Sequence, residues 1–226
     1  MNTLESIKHS LQHPDWKVRN SAIKKCGTIQ SKESIEFITI ILKDLKPASW
    51  WRVLLGDPYY QVGFIRRNAW RALKNQDLSE FPLDELCIAA MNDPYYEVRA
   101  ECLSIILHAV TISEYTPSVQ LKDIIREGLW KEQNIDICLS LFPLCHMVMD
   151  DDEILMLGHK VLNYKNWRLR AAFLNNIILI AENNNDHHES IQKLLSKSNL
   201  MSEYFRPIFQ LKLKQSELQE LINTNP

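Results

Sequence analysis

One short pattern recurs along this chain and restricts it to a small number of folds. An aliphatic residue followed by arginine, or by aspartate in one copy, opens an amphipathic segment at five places; these anchors are Val18, Ile65, Val98, Ile135 and Leu169. The anchors lie 47, 33, 37 and 34 residues apart. A period in the middle thirties is room for two short helices and two turns, so the sequence predicts a stack of similar helical units.

The third copy shows most clearly why each unit is helical. After the turn signal Asp93-Pro94, apolar residues recur at helical spacing on one stripe: Val98, Cys102, Ile105, Ile106 and Ala109. Polar residues at the same spacing form the opposite, wet face: Glu97, Glu101, Ser104 and His108. One such helix is marginal in water on its own, and we therefore expect each copy to pack against its neighbours.

The segments between the anchors supply a second helix for each unit. The helical pattern runs over 3–11, 33–45, 83–91, 119–130 and 153–162, with starts marked by Ser34, Pro82, Ser118 and Asp150. The resulting prediction is one all-α domain, 1–226, of about six hairpins at 3–29, 33–75, 82–110, 117–149, 151–182 and 188–214, closed by a capping helix at 215–223. Pro143 and Pro207 are expected to kink the helices that contain them.

The repeated unit resembles the HEAT repeat family, in which an Asp or Pro turn precedes a Val-Arg-x-x-Ala start of the second helix. The matching residues are Pro14 to Arg19, Asp93 to Arg99 and Asn166 to Arg170, whereas Asp136 replaces the arginine in the fourth copy. The resemblance implies a right-handed α-solenoid, or superhelix, whose second helices line a concave face. It also implies protein binding as the usual role.

An insertion accounts for the long first interval. The extra residues lie at 46–57 and include Trp50, Trp51 and Arg52. Insertions in repeat proteins go to loops, and Trp and Arg are favoured binding anchors. Two interpretations stay open: the tryptophans pack back over the second hairpin, or they form a contact surface.

Charge is distributed unevenly, although the net charge is only −2. Residues 16–75 contain twelve Lys and Arg against four acids, or +8. Equivalent positions of second helices should align, three residues after the anchors as Ser21, Asn68, Glu101, Cys138 and Ala172, and six after as Lys24, Arg71, Ser104, Leu141 and Asn175. With Arg67 and Lys74, Lys24 and Arg71 form either an anion site or a solvated basic face. Arg66, Arg99 and Arg170 are expected to be structural.

Catalytic and metal motifs are weak in this sequence. It contains no GxGxxG, P-loop, nucleophile elbow or HExxH pattern, and we predict no catalytic residue, metal or cofactor. His187-His188-Glu189 resembles one ligand pair of the HEAT-like deoxyhypusine hydroxylases, but one pair cannot supply a di-iron site. Cys145-His146 is an isolated pair of potential metal ligands. The five cysteines are expected to be reduced and to act mainly as small hydrophobic side chains.

The sequence therefore favours a non-enzymatic protein-interaction module, a scaffold or adaptor, that binds an acidic protein surface through the concave face and the 46–57 loop. The eight residues predicted to bind this partner are Lys24, Trp50, Trp51, Arg52, Arg67, Arg71, Lys74 and Glu101. A more specific form of this hypothesis is a toxin-neutralising immunity protein, which rests on the family resemblance alone. The alternative is DNA binding or base-excision repair, because Trp167 to Ala172 resembles a repeat of the HEAT-like alkylpurine DNA glycosylases. The absence of a signal peptide or a membrane-length apolar run predicts a cytoplasmic protein with no membrane association. We also expect the protein to be a monomer.

Overall fold

The computed structural model describes residues 3–44, 60–78, 81–112 and 115–197, and every regular element in these ranges is a helix. The all-α prediction is thus confirmed for this part of the chain. None of the described helices is both long and apolar enough to cross a membrane. Trp50, Trp51, Arg52, Pro207 and the predicted capping helix lie outside the described residues.

The chain divides into two compact units, of which the first is Met1–Ile124. Its helices are α1 (Thr3–Leu11), α2 (Trp16–Cys26), α3 (Lys32–Lys43), α4 (Tyr60–Leu73), α5 (Leu83–Ala90) and α6 (Tyr96–Ile112). Within this unit α1 packs on α2, α3 on α4 and α5 on α6, as hairpins require. The second helices α2, α4 and α6 also pack side by side, with α4 between the other two.

The second unit is Ile125–Pro226, and α7 (Val119–Lys131) crosses the boundary between the units. Its further helices are α8 (Ile135–Leu141), a 3-10 turn (Phe142–Leu144), α9 (Cys145–Val148), α10 (Asp151–Val161), α11 (Trp167–Asn183), a second 3-10 turn (Asn185–His187) and α12 (His188–Lys197). Helix α11 is central, because it contacts α8, the first 3-10 turn, α10 and α12. The predicted kink at Pro143 appears as the 3-10 turn that separates α8 from α9.

A common burial pattern identifies equivalent positions in the second helices. In the third copy Val98 and the residues four, five and eight positions later, Cys102, Leu103 and Ile106, are all buried. The same offsets give Ile65, Ala69, Trp70 and Leu73 in the second copy and Leu169, Phe173, Leu174 and Ile177 in the last, again all buried. In the first copy Ala22, Ile23 and Cys26 follow the pattern, while Val18 is half-buried.

The same pattern corrects the fourth anchor by two residues. Ile137 is 1% exposed, whereas the predicted anchor Ile135 is 37% exposed. Counting from Ile137 gives Leu141, Phe142 and Cys145, which are all buried. Cys138 and Leu141 therefore belong to the core of the second unit rather than to the row of second-helix surface positions.

Helix starts depend on short side chains that cap exposed backbone N–H groups. Asp15 accepts a hydrogen bond from the Lys17 amide at the start of α2. Asp150, which was predicted to start a helix, accepts one from the Glu153 amide at the start of α10. The cap of α3 is Ser31, whose hydroxyl accepts from the Ser34 amide. The predicted start at Ser34 is therefore wrong by three residues, since Ser34 lies in the first turn and is fully buried.

The repeat arginines close their hairpins in more than one way. Arg19 donates to the carbonyl of His13 and Arg99 to that of Asp93, in each case six residues upstream in the turn before the second helix. Arg66 instead reaches Asp93 of the following hairpin. Arg170 is 8% exposed at the corresponding position of α11. These placements agree with the structural role expected for Arg66, Arg99 and Arg170.

Candidate protein-binding face

The second helices of the first unit bring the predicted basic residues onto one surface. The Asn68 side chain donates to Asn20 Oδ1 at 2.6 Å, and Gly27 lies against Ala72 closely enough that a Cβ on it would be 2.9 Å from the Ala72 Cα. These two contacts fix the register of α2 against α4. Along α2 Lys24 lies between Asn20 and Gly27, and along α4 Arg71 lies between Asn68 and Ala72, so the two cations lie at a similar level of the helix pair.

Three cations of this surface form ion pairs with acids of α6. Arg67 Nη1 lies 2.9 Å from Glu97 Oε2, Arg71 Nε lies 2.8 Å from Glu101 Oε2, and Lys74 Nζ lies 3.2 Å from Glu101 Oε1. Lys74 also donates to the Ser104 hydroxyl at 2.8 Å. We call Lys24, Arg67, Arg71, Lys74, Glu97 and Glu101 the charged face. It has four positive and two negative side chains, and thus an excess of two positive charges.

Arg67 packs against an aromatic ring of its own helix. Its guanidinium carbon lies 3.8 Å from the centroid of the Phe64 ring, a cation–π distance. Phe64 in turn packs edge-to-face against Trp16 of α2, with centroids 6.4 Å apart. The Arg67 side chain is only 15% exposed and contacts both Glu97 and Phe64. These contacts restrict its motion, so it has a fixed position in the charged face.

The accessible cations are Arg71 and Lys24. The Arg71 side chain is 53% exposed, although its Nε binds Glu101, whose own side chain is only 13% exposed. Glu101 therefore fixes the positions of Arg71 and Lys74 by ion pairing, and its own side chain has little exposed area for contact with a partner. Lys24 is exposed and forms no ion pair with any described residue. The charged face thus combines the Lys24 ammonium group, which has no ion pair among the described residues, with the Arg71 guanidinium, which Glu101 fixes at one edge.

A separate ion pair lies beneath this face and has a structural character. Arg66 Nε and Nη2 bind the two carboxylate oxygens of Asp93 at 2.8 and 3.0 Å, and Nη1 donates to the Asp44 carbonyl at 3.1 Å. The Arg66 guanidinium also lies 5.3 Å from the centroid of the Tyr95 ring. The ring sits over Gly63, where a Cβ would approach it to 2.5 Å. This cluster joins the end of α3, the middle of α4 and the turn before α6.

The pairing between α4 and α6 differs from the simple row alignment. Residues at equal offsets from their anchors, Arg71 and Ser104, were expected to be neighbours, but Arg71 pairs with Glu101 and Lys74 with Ser104. The contacts are displaced by three residues, or about one helical turn. Glu97 and Phe64 therefore belong to the site although the sequence prediction did not include them. Glu97 could have been found from the sequence, because it follows Arg67 by 30 residues, the same spacing that separates Glu101 from Arg71.

The basic stretch is balanced within its own unit. Residues 76–124 contain nine acids and two basic residues, against four acids and twelve basic residues at 16–75. On the charged face this balance consists of ion pairs between basic residues of α4 and acidic residues of α6. Of the eight residues predicted for partner binding, Lys24, Arg67, Arg71, Lys74 and Glu101 share this face, and Trp50, Trp51 and Arg52 lie outside the described residues.

The cysteines and histidines that the sequence analysis considered as reactive or metal-binding residues are mostly buried or bonded to neighbouring protein groups. All five cysteines are free and buried, and desolvation raises the pKa of Cys145 to about 12. Burial lowers the pKa of His146. His187 lies 3.7 Å from Asp151 and 3.8 Å from Asp152, and His188 contacts the Ala181 carbonyl at 3.0 Å. Across the described ranges, no group of three or more His, Cys, Asp or Glu side chains is arranged to hold a metal ion.

Comparisons with known proteins bear on the fold. No family model and no curated protein matches the sequence. The structure is similar to a designed armadillo repeat protein, YIII(Dq)4CqI, with a TM-score of 0.51 and 16% sequence identity over 97% of this chain and 95% of the designed one. At this identity the likeness concerns the fold alone. It supports a helical-repeat fold, while the HEAT type, the right-handed twist and the number of hairpins stay predictions.

Proposed function

We propose that the protein is a non-enzymatic interaction module that binds an acidic surface of another protein through the charged face. The observation that carries this proposal is the pairing on α4 and α6, which leaves Arg71 half-exposed and fixed by Glu101 beside the unpaired Lys24. Side-by-side second helices present such residues on one continuous surface. Helical-repeat folds use surfaces of this kind for binding.

The partner's acids would complete an existing network. Arg71 binds Glu101 through Nε, and its remaining guanidinium nitrogens have no hydrogen bond among the described residues. A carboxylate from a partner fits this edge, because guanidinium groups bind carboxylates with two parallel hydrogen bonds. Fixing the side chain beforehand reduces the rotamer entropy that binding would otherwise cost.

Nucleic acid is the less suitable ligand for this surface. A polyanion is bound by neutralising several phosphates in succession with free cations. On the charged face Arg67, Arg71 and Lys74 are already engaged by two carboxylates, which leaves too few free cations to neutralise several phosphates in succession. DNA binding or base-excision repair therefore stays an alternative that the experiment must address.

Affinity capture with matched baits tests the proposal. The wild-type chain and a Lys24→Glu/Arg71→Glu variant are used as baits in lysate of the native organism, and Lys165→Glu, an exposed charge reversal in the second unit, serves as the control. We expect a partner with an acidic binding surface that is retained by wild type and control and lost from the double variant. A partner that all three baits retain equally would overturn the use of this face.

Titration with labelled duplex and single-stranded DNA separates the two functions. Protein binding predicts no DNA association at physiological salt. Tight association at that salt, abolished by Arg67→Ala, Arg71→Ala and Lys74→Ala together, would replace the proposal with nucleic-acid binding. If the captured partner is a toxin whose activity the protein blocks, the module is an immunity protein; an unaffected partner indicates a scaffold or adaptor.

A further inference from the structure

A groove of about 300 Å³ lies between α1 and α2, the two helices of the first hairpin. Its polar lining comes from Ser6 and Ser10 of α1 and from Lys17, Ser21 and Lys25 of α2. None of these residues belongs to the charged face. Lys24 and Lys25 are consecutive, and side chains of consecutive helical residues point about 100° apart, so α2 presents one lysine to each of the two surfaces.

The two lysines of the groove flank one hydroxyl. Lys17 precedes Ser21 by four residues and Lys25 follows it by four, so all three lie on one stripe of α2. Eight residues correspond to about 12 Å along a helix, and two long, flexible lysine side chains can therefore converge on an anion beside Ser21. Both lysines are exposed, and neither forms an ion pair with a described residue.

The hydroxyl groups add hydrogen-bond donors to these charges. Ser6 and Ser21 are exposed, and neither hydroxyl donates to a described residue. Ser10 already donates to the Ser6 carbonyl at 2.8 Å and offers no further donor. The groove thus supplies two ammonium groups and two hydroxyl donors, all of which solvent can reach.

Acidic residues do not neutralise this groove. None of the described residues that line it is acidic. Residues 3–26 contain five Lys and Arg against two acids, Glu5 and Asp15, and the Asp15 carboxylate caps the start of α2. Beneath the donors the floor is apolar, because Ile7 and Ala22 are buried. Such a floor excludes water from one side and strengthens the attraction between the ammonium groups and an anion.

We infer that this groove binds the phosphoryl group of a small phosphate monoester. Near neutral pH such a group has close to two negative charges and three strong acceptor oxygens. Lys17 and Lys25 balance the charge, while Ser6 and Ser21 donate hydrogen bonds to the oxygens. A phosphate diester has a single charge, and a polynucleotide needs a longer succession of cations, so both fit less well. The inference goes beyond the proposed protein-binding function and does not depend on it, because the groove and the charged face share no residue.

Methyl phosphate and dimethyl phosphate are matched probes, because at neutral pH they differ by one methyl group and by about one charge. In nitrogen-15 NMR titrations of the full chain at constant low salt, methyl phosphate should shift the backbone amides of Ser10, Ser21 and Lys25. We expect dimethyl phosphate to bind about two- to fivefold more weakly, the range that one exposed charge pair supplies.

Two double variants test the lysines. Lys17→Gln with Lys25→Gln should weaken binding of methyl phosphate at least about tenfold, because it removes both hydrogen bonds between charged groups. Lys8→Gln with Lys165→Gln removes the same charge outside the groove and should leave the affinity unchanged. All four lysines are exposed, so we expect both variants to fold.

Ser21→Ala tests the hydroxyl between the lysines and should weaken methyl phosphate about two- to tenfold, the range of one net hydrogen bond. Equal losses in the two double variants would overturn the inference, because binding would then reflect only the total charge of the protein. Equal affinity of the wild-type protein for the two probes, or shifts that avoid α1 and α2, would overturn it as well.

Discussion

Arg66 and Asp93 form a two-bond ion pair between consecutive hairpins, and their side chains are only 3% and 1% exposed. The pair lies behind the charged face and leaves neither partner available to a ligand. It is also the point at which α3, α4 and the turn before α6 meet, because Arg66 donates to the Asp44 carbonyl as well. Removing one partner would leave a buried charge without compensation, and this distinguishes the pair from the ion pairs at the surface.

Arg66→Ala should therefore lower the free energy of unfolding by about 3–5 kcal/mol, the usual cost of breaking a buried ion pair. Arg71→Ala is the matched control, since its side chain is 53% exposed and its partner Glu101 retains Lys74; we expect a loss below about 1 kcal/mol. Urea denaturation followed by circular dichroism measures both. Similar losses for the two variants would mean that Arg66 does not hold the hairpins together.

Two glycines within helices should respond to alanine with opposite signs. A Cβ at Gly63 would lie 2.5 Å from the Tyr95 ring, so Gly63→Ala forces the ring to move and should destabilise the protein by about 1–3 kcal/mol. At Gly128 the nearest atom would be 3.4 Å away, an ordinary contact, and Gly128→Ala should stabilise α7 by up to about 1 kcal/mol. Thermal unfolding of the two variants checks the signs, and a stabilising Gly63→Ala would contradict the packing of Tyr95.

The corrected fourth anchor can be tested with two isoleucines of α8. Ile137→Ala removes a side chain that is 1% exposed and should cost about 2–5 kcal/mol. Ile135→Ala changes a side chain that is 37% exposed and should cost less than about 1 kcal/mol. Denaturation midpoints of the two variants decide between the registers. A larger effect at Ile135 would restore the anchor that the repeat spacing predicted.

The buried thiol of Cys145 makes stability depend on alkaline pH. Desolvation raises its pKa from 9.0 to about 12, so the thiol ionises first in the unfolded chain. Its contribution is fully present below pH 9 and is lost as the pH rises towards 12. The cost of Cys145→Ala, measured by urea denaturation, should shrink above pH 9 by about 1.4 kcal/mol per pH unit. Leu144→Ala, at a buried residue that does not titrate, should show a constant cost over this range.

Binding kinetics should separate the charged face from the predicted tryptophan anchor. Arg71→Glu should mainly slow association with the captured partner at low salt, because exposed charges steer encounters. Trp50→Ala with Trp51→Ala should speed dissociation, since a buried Trp anchor contributes about 2 kcal/mol or more. Biolayer interferometry at two salt concentrations measures both rates. Unchanged dissociation of the tryptophan variant would remove the 46–57 loop from the interface.

Local signals made most helices predictable from the sequence. Helix α1 was expected at 3–11 and occupies Thr3–Leu11, and Asp150 was expected to start α10, which it caps. Such features depend on residues a few positions apart, which the sequence displays directly. The error at α3 has the same local origin: serine is a favoured capping residue, so Ser31 and Ser34 are both candidates, and the choice between them depends on which serine the core buries.

Packing between helices set the features that could not be predicted. Ile135 and Ile137 are chemically identical, and only the neighbouring helices decide which one faces the core. The one-turn displacement that pairs Arg71 with Glu101 follows from how α4 packs on α6, and equal spacing from the anchors contains no information about it.

The spacing of the charged face has a consequence during synthesis. Arg67 and Arg71 each precede their acidic partners by 30 residues, so α4 emerges from the ribosome before Glu97 and Glu101 emerge. At about 5–20 residues per second, the new chain carries these arginines without their acids for roughly 2–6 s. Throughout that interval the emerging chain carries the strongly basic stretch 16–75 without its acidic partners, and α6 neutralises it only when α6 emerges.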